Sequence, residues 1–294
     1  MANDPIQGYF HLAEVVEEIR RNPGRIVFVA GATDLIPQMR SEGVDGDFLI
    51  DLSQVRDLRY IREEEGLIRI GAATPFSEIA ASPLIRRKAL CLAQASAQIG
   101  SAQIRNRATL GGNVANAAPA GDSLPPLSVL AASVHTIGPR QDRTVPVREI
   151  NVDPWKSGLL RNELIREISF PSPSENGLSG FEKVGHRKTV SVSKLTLAMW
   201  VEYDRESQTI IKGRAALGAI GKNSILPKGI SAFLEGKKVN EDLASGLAGY
   251  LSRSIDESIK GRESRPYKMA AIKGLTYDLV HQLFGLSPEA PWKG

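Results

Sequence analysis

Gln103-Ile104-Arg105-Asn106-Arg107-Ala108-Thr109-Leu110-Gly111-Gly112-Asn113-Val114-Ala115-Asn116, continuing through Ala117-Ala118-Pro119-Ala120-Gly121-Asp122-Ser123, is the densest run of small and polar residues in the chain. Paired glycines offer consecutive backbone amides, a nest able to bind an anion. Thr109, Asn113 and Asn116 add side-chain donors, and Asp122 can accept hydrogen bonds, as from a ribose hydroxyl. After Arg107 the run has few charges and little hydrophobic periodicity. A long polar loop inside a compact domain is usually functional or disordered, and the small apolar residues here argue against disorder. The stretch therefore reads as a ligand-binding loop.

Upstream lies a second glycine-containing turn. Ile26-Val27-Phe28-Val29-Ala30 is a continuous apolar run of strand length, which predicts burial on both faces. It leads into Ala30-Gly31-Ala32-Thr33-Asp34, where small residues let backbone approach a ligand and a following helix presents unpaired N–H groups. Thr33 or Asp34 is expected to cap that helix, with Pro37 in its first turn; a carboxylate repels phosphate, so Asp34 reads as a cap. Taken alone, the motif also fits a tight turn with no ligand. It lacks the G-x-G-x-x-G spacing of a dinucleotide fold.

Around these loops the periodicities are legible. His11 to Arg21 reads as a surface helix ending before Asn22-Pro23-Gly24, and Phe48 to Leu52 as a strand, which completes a strand–turn–helix–strand unit. Leu67 to Ile70 predicts a strand, Thr74-Pro75 a capped helix start, and Leu84 to Ile99 a single helix. Strands are expected at His135 to Ile137 and Leu164 to Phe170, and Pro171 to Gly177 reads as a linker. Leu195, Leu197, Met199, Val201 and Tyr203 alternate as a strand, with Thr209 to Gly218 as its neighbour. Leu243 through Ile259 and Met269 through Leu283 recur at helical spacing, so the last third reads as an antiparallel sheet with helices packed on it.

The 294 residues are 42% hydrophobic and 24% charged, with 37 basic and 33 acidic residues and a net charge of +4. No basic block with interleaved aromatics marks a nucleic-acid surface, and no polybasic amphipathic stretch marks a membrane surface. The apolar run Leu124 to Ile137 is broken by Pro125, Pro126 and His135 and is too short to span a bilayer. Met1 to Gly8 shows no leader pattern, so a cytoplasmic location is expected. The single cysteine, Cys91, sits in an apolar helical setting and reads as a small buried hydrophobe; it excludes a cysteine-rich iron–sulfur or zinc site within this chain. His11, His135, His186 and His281 are scattered, and Gly177-Leu178-Ser179-Gly180 lacks nucleophile-elbow spacing. No catalytic and no metal-ligating residues are assigned. Binding loops without proton-transfer machinery suit a cofactor that brings its own reactivity.

The two loops, in this order and spacing, with Phe181-Glu182-Lys183 followed by Ser191-Val192-Ser193, resemble the FAD-binding medium subunit of the molybdenum hydroxylases, the xanthine dehydrogenase and carbon monoxide dehydrogenase type. The resemblance covers nearly the whole chain. It implies an α+β chain: a two-lobed FAD-binding domain of the p-cresol methylhydroxylase type over 1–173 (lobes 1–57 and 58–173), then an antiparallel sheet-plus-helices domain over 178–288. Val27, Phe28, Val29, Ala30, Gly31, Ala32, Thr33 and Asp34 would wrap the cofactor diphosphate from one side. Ala108, Thr109, Leu110, Gly111, Gly112 and Asn113 would hold it from the other, with Asn116 and Asp122 nearby. Ile99, Gly100 and Ile165 would contact the cofactor, and Lys183 would lie near the flavin. In its own numbering the chain departs from the family at Ala32, where a second glycine is usual; a left-handed conformation there would cost about 1 kcal/mol.

The same resemblance implies an electron-transfer oxidoreductase subunit of a heteromeric complex. Molybdopterin would sit on a large partner subunit and 2Fe-2S clusters on a small one, with an acceptor such as NAD. The rival readings are a cofactor-free structural subunit with a degenerate flavin fold, and a self-contained flavin oxidase.

Overall fold

The computed structural model describes residues 7–44, 46–153, 155–187, 190–221 and 223–286. The reading of Met1 to Gly8 as lacking a leader falls largely on residues 1–6, outside the described residues, as do the expected outer limits 1 and 288.

The first lobe contains β1 (Gln7–Gly8), α1 (Leu12–Arg21), β2 (Ile26–Val29), α2 (Leu35–Ser41) and β3 (Phe48–Asp51). Glu14 closes the start of α1 by accepting the His11 N–H at 3.0 Å. The helix turns Val15 and Ile19 into a small core with Ile26, Ile50 and Leu52. The parallel sheet runs β1-β3-β2, so β2 is an edge strand. That corrects the expected burial on both faces: Ile26 and Val29 are buried, whereas Val27 and Phe28 are only half so. Ile137 and Leu164, from the next sheet, complete this core and join the lobes.

The middle lobe follows a 3-10 turn and comprises β4 (Ile61–Glu64), β5 (Leu67–Gly71), α3 (Phe76–Ala81), α4 (Pro83–Lys88), α5 (Leu90–Gln98), α6 (Ala102–Arg105), α7 (Leu110–Asn116) and α8 (Leu124–Val129). It continues with β6 (Ser133–Ile137), β7 (Arg143–Pro146), α9 (Val147–Ile150), β8 (Asn151–Asp153), β9 (Lys156–Ser157) and β10 (Leu164–Pro171). Its antiparallel sheet is ordered β4-β5-β10-β6-β7. The single helix expected from Leu84 to Ile99 is two, broken at Ala89 (φ −145, ψ 58). The break is tertiary in origin, since the Cys91 N–H at the head of α5 donates to Ser179 Oγ. Thr74 does not cap α3 as expected; its hydroxyl is buried and exchanges hydrogen bonds with the backbone of Tyr60.

The last part comprises β11 (Gly177–Gly185), β12 (Ser193–Asp204), β13 (Thr209–Gly218), α10 (Ile230–Leu234), α11 (Glu241–Ser258) and α12 (Arg265–Phe284), with an antiparallel sheet ordered β11-β12-β13. Leu195, Leu197, Met199 and Val201 face a core shared with α11 and α12. The opposite face supplies Phe181, Ala198 and Ala216 to the core of the middle lobe. The sheet is thus covered on both sides, and the α+β architecture of lobed sheets followed by an antiparallel sheet with helices is as expected.

Candidate functional site

A half-open cleft of about 250 Å³ lies where the first and middle lobes meet. It is lined on one side by Phe28, Ala30, Gly31, Ala32, Thr33 and Asp34, and on the other by Ala108, Thr109, Gly111, Gly112, Asn113 and Asn116. Leu52, Leu164 and Ile165 add an apolar wall. The two sequence motifs, far apart in the chain, therefore share one space. Val27, Val29 and Leu110 do not line it; Leu110 is fully buried in the core of the middle lobe.

The two loops meet backbone to backbone at Gly31, and Gly111 packs as tightly on Ala72, just past the end of β5. A Cβ at Gly31 would stand 2.0 Å from Arg107 O, and one at Gly111 would stand 2.5 Å from Ala72 Cβ and 2.8 Å from Ala72 O. A Cβ at Gly112 would meet only Thr109 Oγ1, at 2.9 Å. Gly31 and Gly111 are thus required by chain packing, whereas Gly112 opens onto the cleft.

The backbone amides of the two loops differ further. The nest expected at Gly111-Gly112 is not free. Leu110 N–H donates to Thr74 O, Gly111 N–H to Ala72 O and Asn113 N–H to Thr109 O, while Gly112 N–H is taken by the Thr109 hydroxyl at 3.2 Å. The reason is that Leu110 to Asn116 is the short helix α7, capped by Thr109 and held by buried Leu110 and Val114, and not an open loop. On the facing side, the amides of Gly31, Ala32, Thr33 and Asp34 have no hydrogen-bond partner among the described residues. Asp34 starts α2, yet its side chain makes no cap bond, so neither expected cap is formed. Ala32 has φ +61, the left-handed conformation that a side chain opposes.

Asp122 is buried and occupied. Lys183 Nζ lies 2.6 Å from its Oδ2, and the Ser193 hydroxyl donates to its Oδ1. Burial pushes the carboxyl upward, offset only in part by Lys183 and Ser193. Each oxygen is engaged once within the protein, so a ribose hydroxyl would share Asp122 with Lys183 and Ser193. The adjacent Ser123 donates to Asn113 Oδ1 at 2.7 Å, so Asp122-Ser123 backs α7 from behind. Lys183 and Gly100 line a second, more polar cleft of about 530 Å³ together with Gln98, Arg105, Arg187 and Ser191. Ile99 precedes it at the end of α5, packed against the middle core.

Sequence reasoning missed the third wall of the first cleft, Leu159 to Leu164. Glu163, which lines it, accepts from Arg143 Nε and Nη2 at 2.6 Å each and from Leu160 N–H at 2.7 Å, with Thr136 also bonded. Burial alone would raise its carboxyl, but these donors hold it below the usual range. The signal for it in the sequence is an Asn-Glu pair directly before a strand, a turn chemistry.

The cleft offers binding chemistry without a proton relay. Its carboxylates are Asp34, exposed, and Glu163, tied to Arg143. Elsewhere, His135 Nε2 meets Ser169 Oγ at 2.7 Å, but its Nδ1 meets the Thr144 hydroxyl and the nearby Glu167 carboxylate lies 3.9 Å from the same Nε2, so this is no hydrolytic triad. No group of three or more metal-ligating side chains occurs among the described residues. Four unpartnered amides beside an apolar wall fit a dinucleotide: donors for a diphosphate and a dry surface for an aromatic base.

The family model for the FAD binding domain in molybdopterin dehydrogenase matches residues 10–173, and that for the CO dehydrogenase flavoprotein C-terminal domain matches residues 181–283. The nicotinate dehydrogenase FAD-subunit of Eubacterium barkeri is 28% identical over 264 residues, 87% of this chain and 89% of the relative. The carbon monoxide dehydrogenase medium chain of Hydrogenophaga pseudoflava is 30% identical over 244 residues, 82% and 83% of the two chains. Among solved structures, carbon monoxide dehydrogenase from Hydrogenophaga pseudoflava, in a form lacking the Mo-pyranopterin moiety, shares the fold with a TM-score of 0.84 at 24% identity, over 97% of this chain and 99% of that one. Reconstituted CO dehydrogenase from Oligotropha carboxidovorans gives 0.85 at 21% identity, over 98% and 100%. By these matches, the chain belongs to the family of FAD-binding medium subunits of the molybdenum hydroxylases.

Proposed function

We propose that this subunit carries its FAD diphosphate in the first cleft and serves as the electron exit of a heteromeric dehydrogenase. The free amides of Gly31, Ala32, Thr33 and Asp34 supply the principal donors, with the side chains of Thr109, Asn113 and Asn116 facing them. Phe28, Leu52, Leu164 and Ile165 form a dry wall for the adenine end. Ile99, Gly100 and Lys183 belong with the flavin end, Lys183 holding a positive charge at the second cleft. Bound flavin accepts electron pairs and releases them singly or in pairs, which is the reactivity that this chain lacks on its own.

Electrons would arrive from 2Fe-2S clusters on a small partner subunit, fed by a molybdenum cofactor on a large one, and leave to a soluble acceptor such as NAD. The relatives' names support such a complex, since they are called subunits and medium chains. Cys91, buried and the sole cysteine in the sequence, cannot assemble a cluster here. No helix among the described residues is long and apolar enough to cross a membrane, in keeping with a cytoplasmic complex. We read the chain as two domains, 1–173 and 178–288.

The observation that carries this reading is the row of unpartnered amides at Gly31 to Asp34 on the cleft. The test is a flavin spectrum of the purified complex with and without this subunit, followed by reoxidation of the reduced complex with NAD. Flavin absorbance that persists without this chain would remove the FAD assignment. A reduced flavin that NAD leaves unoxidised would remove NAD as the acceptor.

A further inference from the structure

The loop from Leu159 to Ile165 joins the two lobes, and two consecutive side chains in it grip opposite walls. Glu163 is fixed to the middle lobe through Arg143 and Thr136. Asn162 reaches the other way. Its Oδ1 accepts the Ile26 N–H at 2.9 Å, and its Nδ2 donates to Gly24 O at 2.7 Å. A donor and an acceptor spaced in this way are what a neighbouring peptide would offer, so the amide stands in for the strand that edge strand β2 lacks on that side. Asn162 is itself buried and in the left-handed conformation (φ +57), which asparagine tolerates better than other side chains. The strand it holds runs directly into Ala30–Asp34, the loop with the free amides.

The first lobe packs on the middle lobe through Ile137 and Leu164 without help from Asn162. Those apolar contacts hold the lobe in place but do not fix the tilt of a strand edge, because dispersion contacts are non-directional. Two directional hydrogen bonds at the head of β2 do.

We propose that Asn162 is a positioning residue for the dinucleotide cleft: its side-chain amide fixes the edge strand that delivers Gly31 to Asp34, and so sets the spacing between those amides and the facing walls. This rests on the reading of the cleft as the FAD diphosphate site. Asn162 itself does not line that cleft, so its effect on the ligand is transmitted through β2.

The experiment is a titration of the flavin-free full-length chain with FAD, followed by flavin fluorescence, for wild type, Asn162→Gly and Asn162→Asp. Asn162→Gly keeps the left-handed backbone accessible and removes the amide. Its FAD dissociation constant rises about tenfold at a temperature where the flavin-free variant, weakened by the two lost hydrogen bonds, is still fully folded. Asn162→Asp keeps the acceptor for Ile26 but sets a carboxylate against Gly24 O. Its affinity is weak at neutral pH and recovers as acid restores a proton to donate, a pH dependence that wild type does not share. If Asn162→Gly does not fold, the Asp variant decides alone. Variants that bind FAD within twofold of wild type at neutral pH overturn the proposal, as does a loss of affinity accounted for by the fraction of flavin-free chain that is unfolded. A wild-type chain that takes up no flavin overturns both this inference and the FAD reading beneath it.

Discussion

The two loops that face each other across the cleft look alike in sequence and differ in what their backbones have left to offer. Leu110 to Asn113 spends every amide inside the protein, on Thr74, Ala72 and its own cap, and is held from behind by Ser123. Gly31 to Asp34 spends none among the described residues, carries an alanine in a left-handed conformation, and hangs from an edge strand. One is a finished wall and the other an open row of donors. Glycine in a binding loop therefore has separable duties. At Gly31 and Gly111 it permits close approach of neighbouring backbone, and at Gly112 it leaves the cleft open.

The comparison can be broken most decisively at the contacts. Gly31→Ala and Gly111→Ala each drive a methyl group into backbone, and each should cost about 3 kcal/mol in denaturant unfolding. A loss under about 1 kcal/mol would show that these close approaches can relax cheaply. Gly112→Ala sharpens the contrast. The methyl meets only the Thr109 hydroxyl, so stability should fall by no more than about 1 kcal/mol, the worth of a weakened cap. FAD affinity should fall about tenfold, which is about 1.4 kcal/mol. Unchanged affinity would place the ligand away from this wall. Ala32→Gly removes the Cβ from a left-handed position and should stabilise the chain by about 0.5 kcal/mol, after the extra chain entropy of glycine is subtracted. A destabilised Ala32→Gly would deny that the open loop is strained.

The smallest effect concerns the third wall. The Glu163 carboxyl is held below its unfolded value of 4.5, so its contribution to stability is present above that pH and is lost as pH falls through the lower folded value. Wild type should thus lose stability below pH 4.5 more steeply than Glu163→Gln, as followed by melting temperature against pH. Parallel curves would mean that the Arg143 pairing adds nothing.

Much of the fold was legible because its strongest signals are local. Alternation from Leu195 to Tyr203 marked β12, and the four-residue recurrence from Leu243 to Ile259 marked α11. What escaped was decided by distant partners. Nothing in Leu84 to Ile99 announces a break at Ala89, because the group that claims the Cys91 amide is Ser179. Helix α7 was hidden by its glycines, whose poor propensity is overridden by a threonine cap and two buried side chains. At the site, the glycine motifs located the cleft, but not which amides remain free, since Ala72 and Thr74 lie well upstream. The internal partner of Asp122 was equally hidden, because Lys183 lies 61 residues further on.

The Lys183–Asp122 pair joins a residue within the first family match to one within the second, both nearly removed from solvent. A chimaera that takes its front half from one relative and its back half from another inherits each half of that pair from a different parent. Such a hybrid stays sound only where both parents carry complementary charges at the two positions; otherwise a bare ion is sealed in the seam, at a cost of about 3–5 kcal/mol. The two halves therefore cannot be exchanged freely, and their inheritance is tied together by a single proton-sized detail of charge.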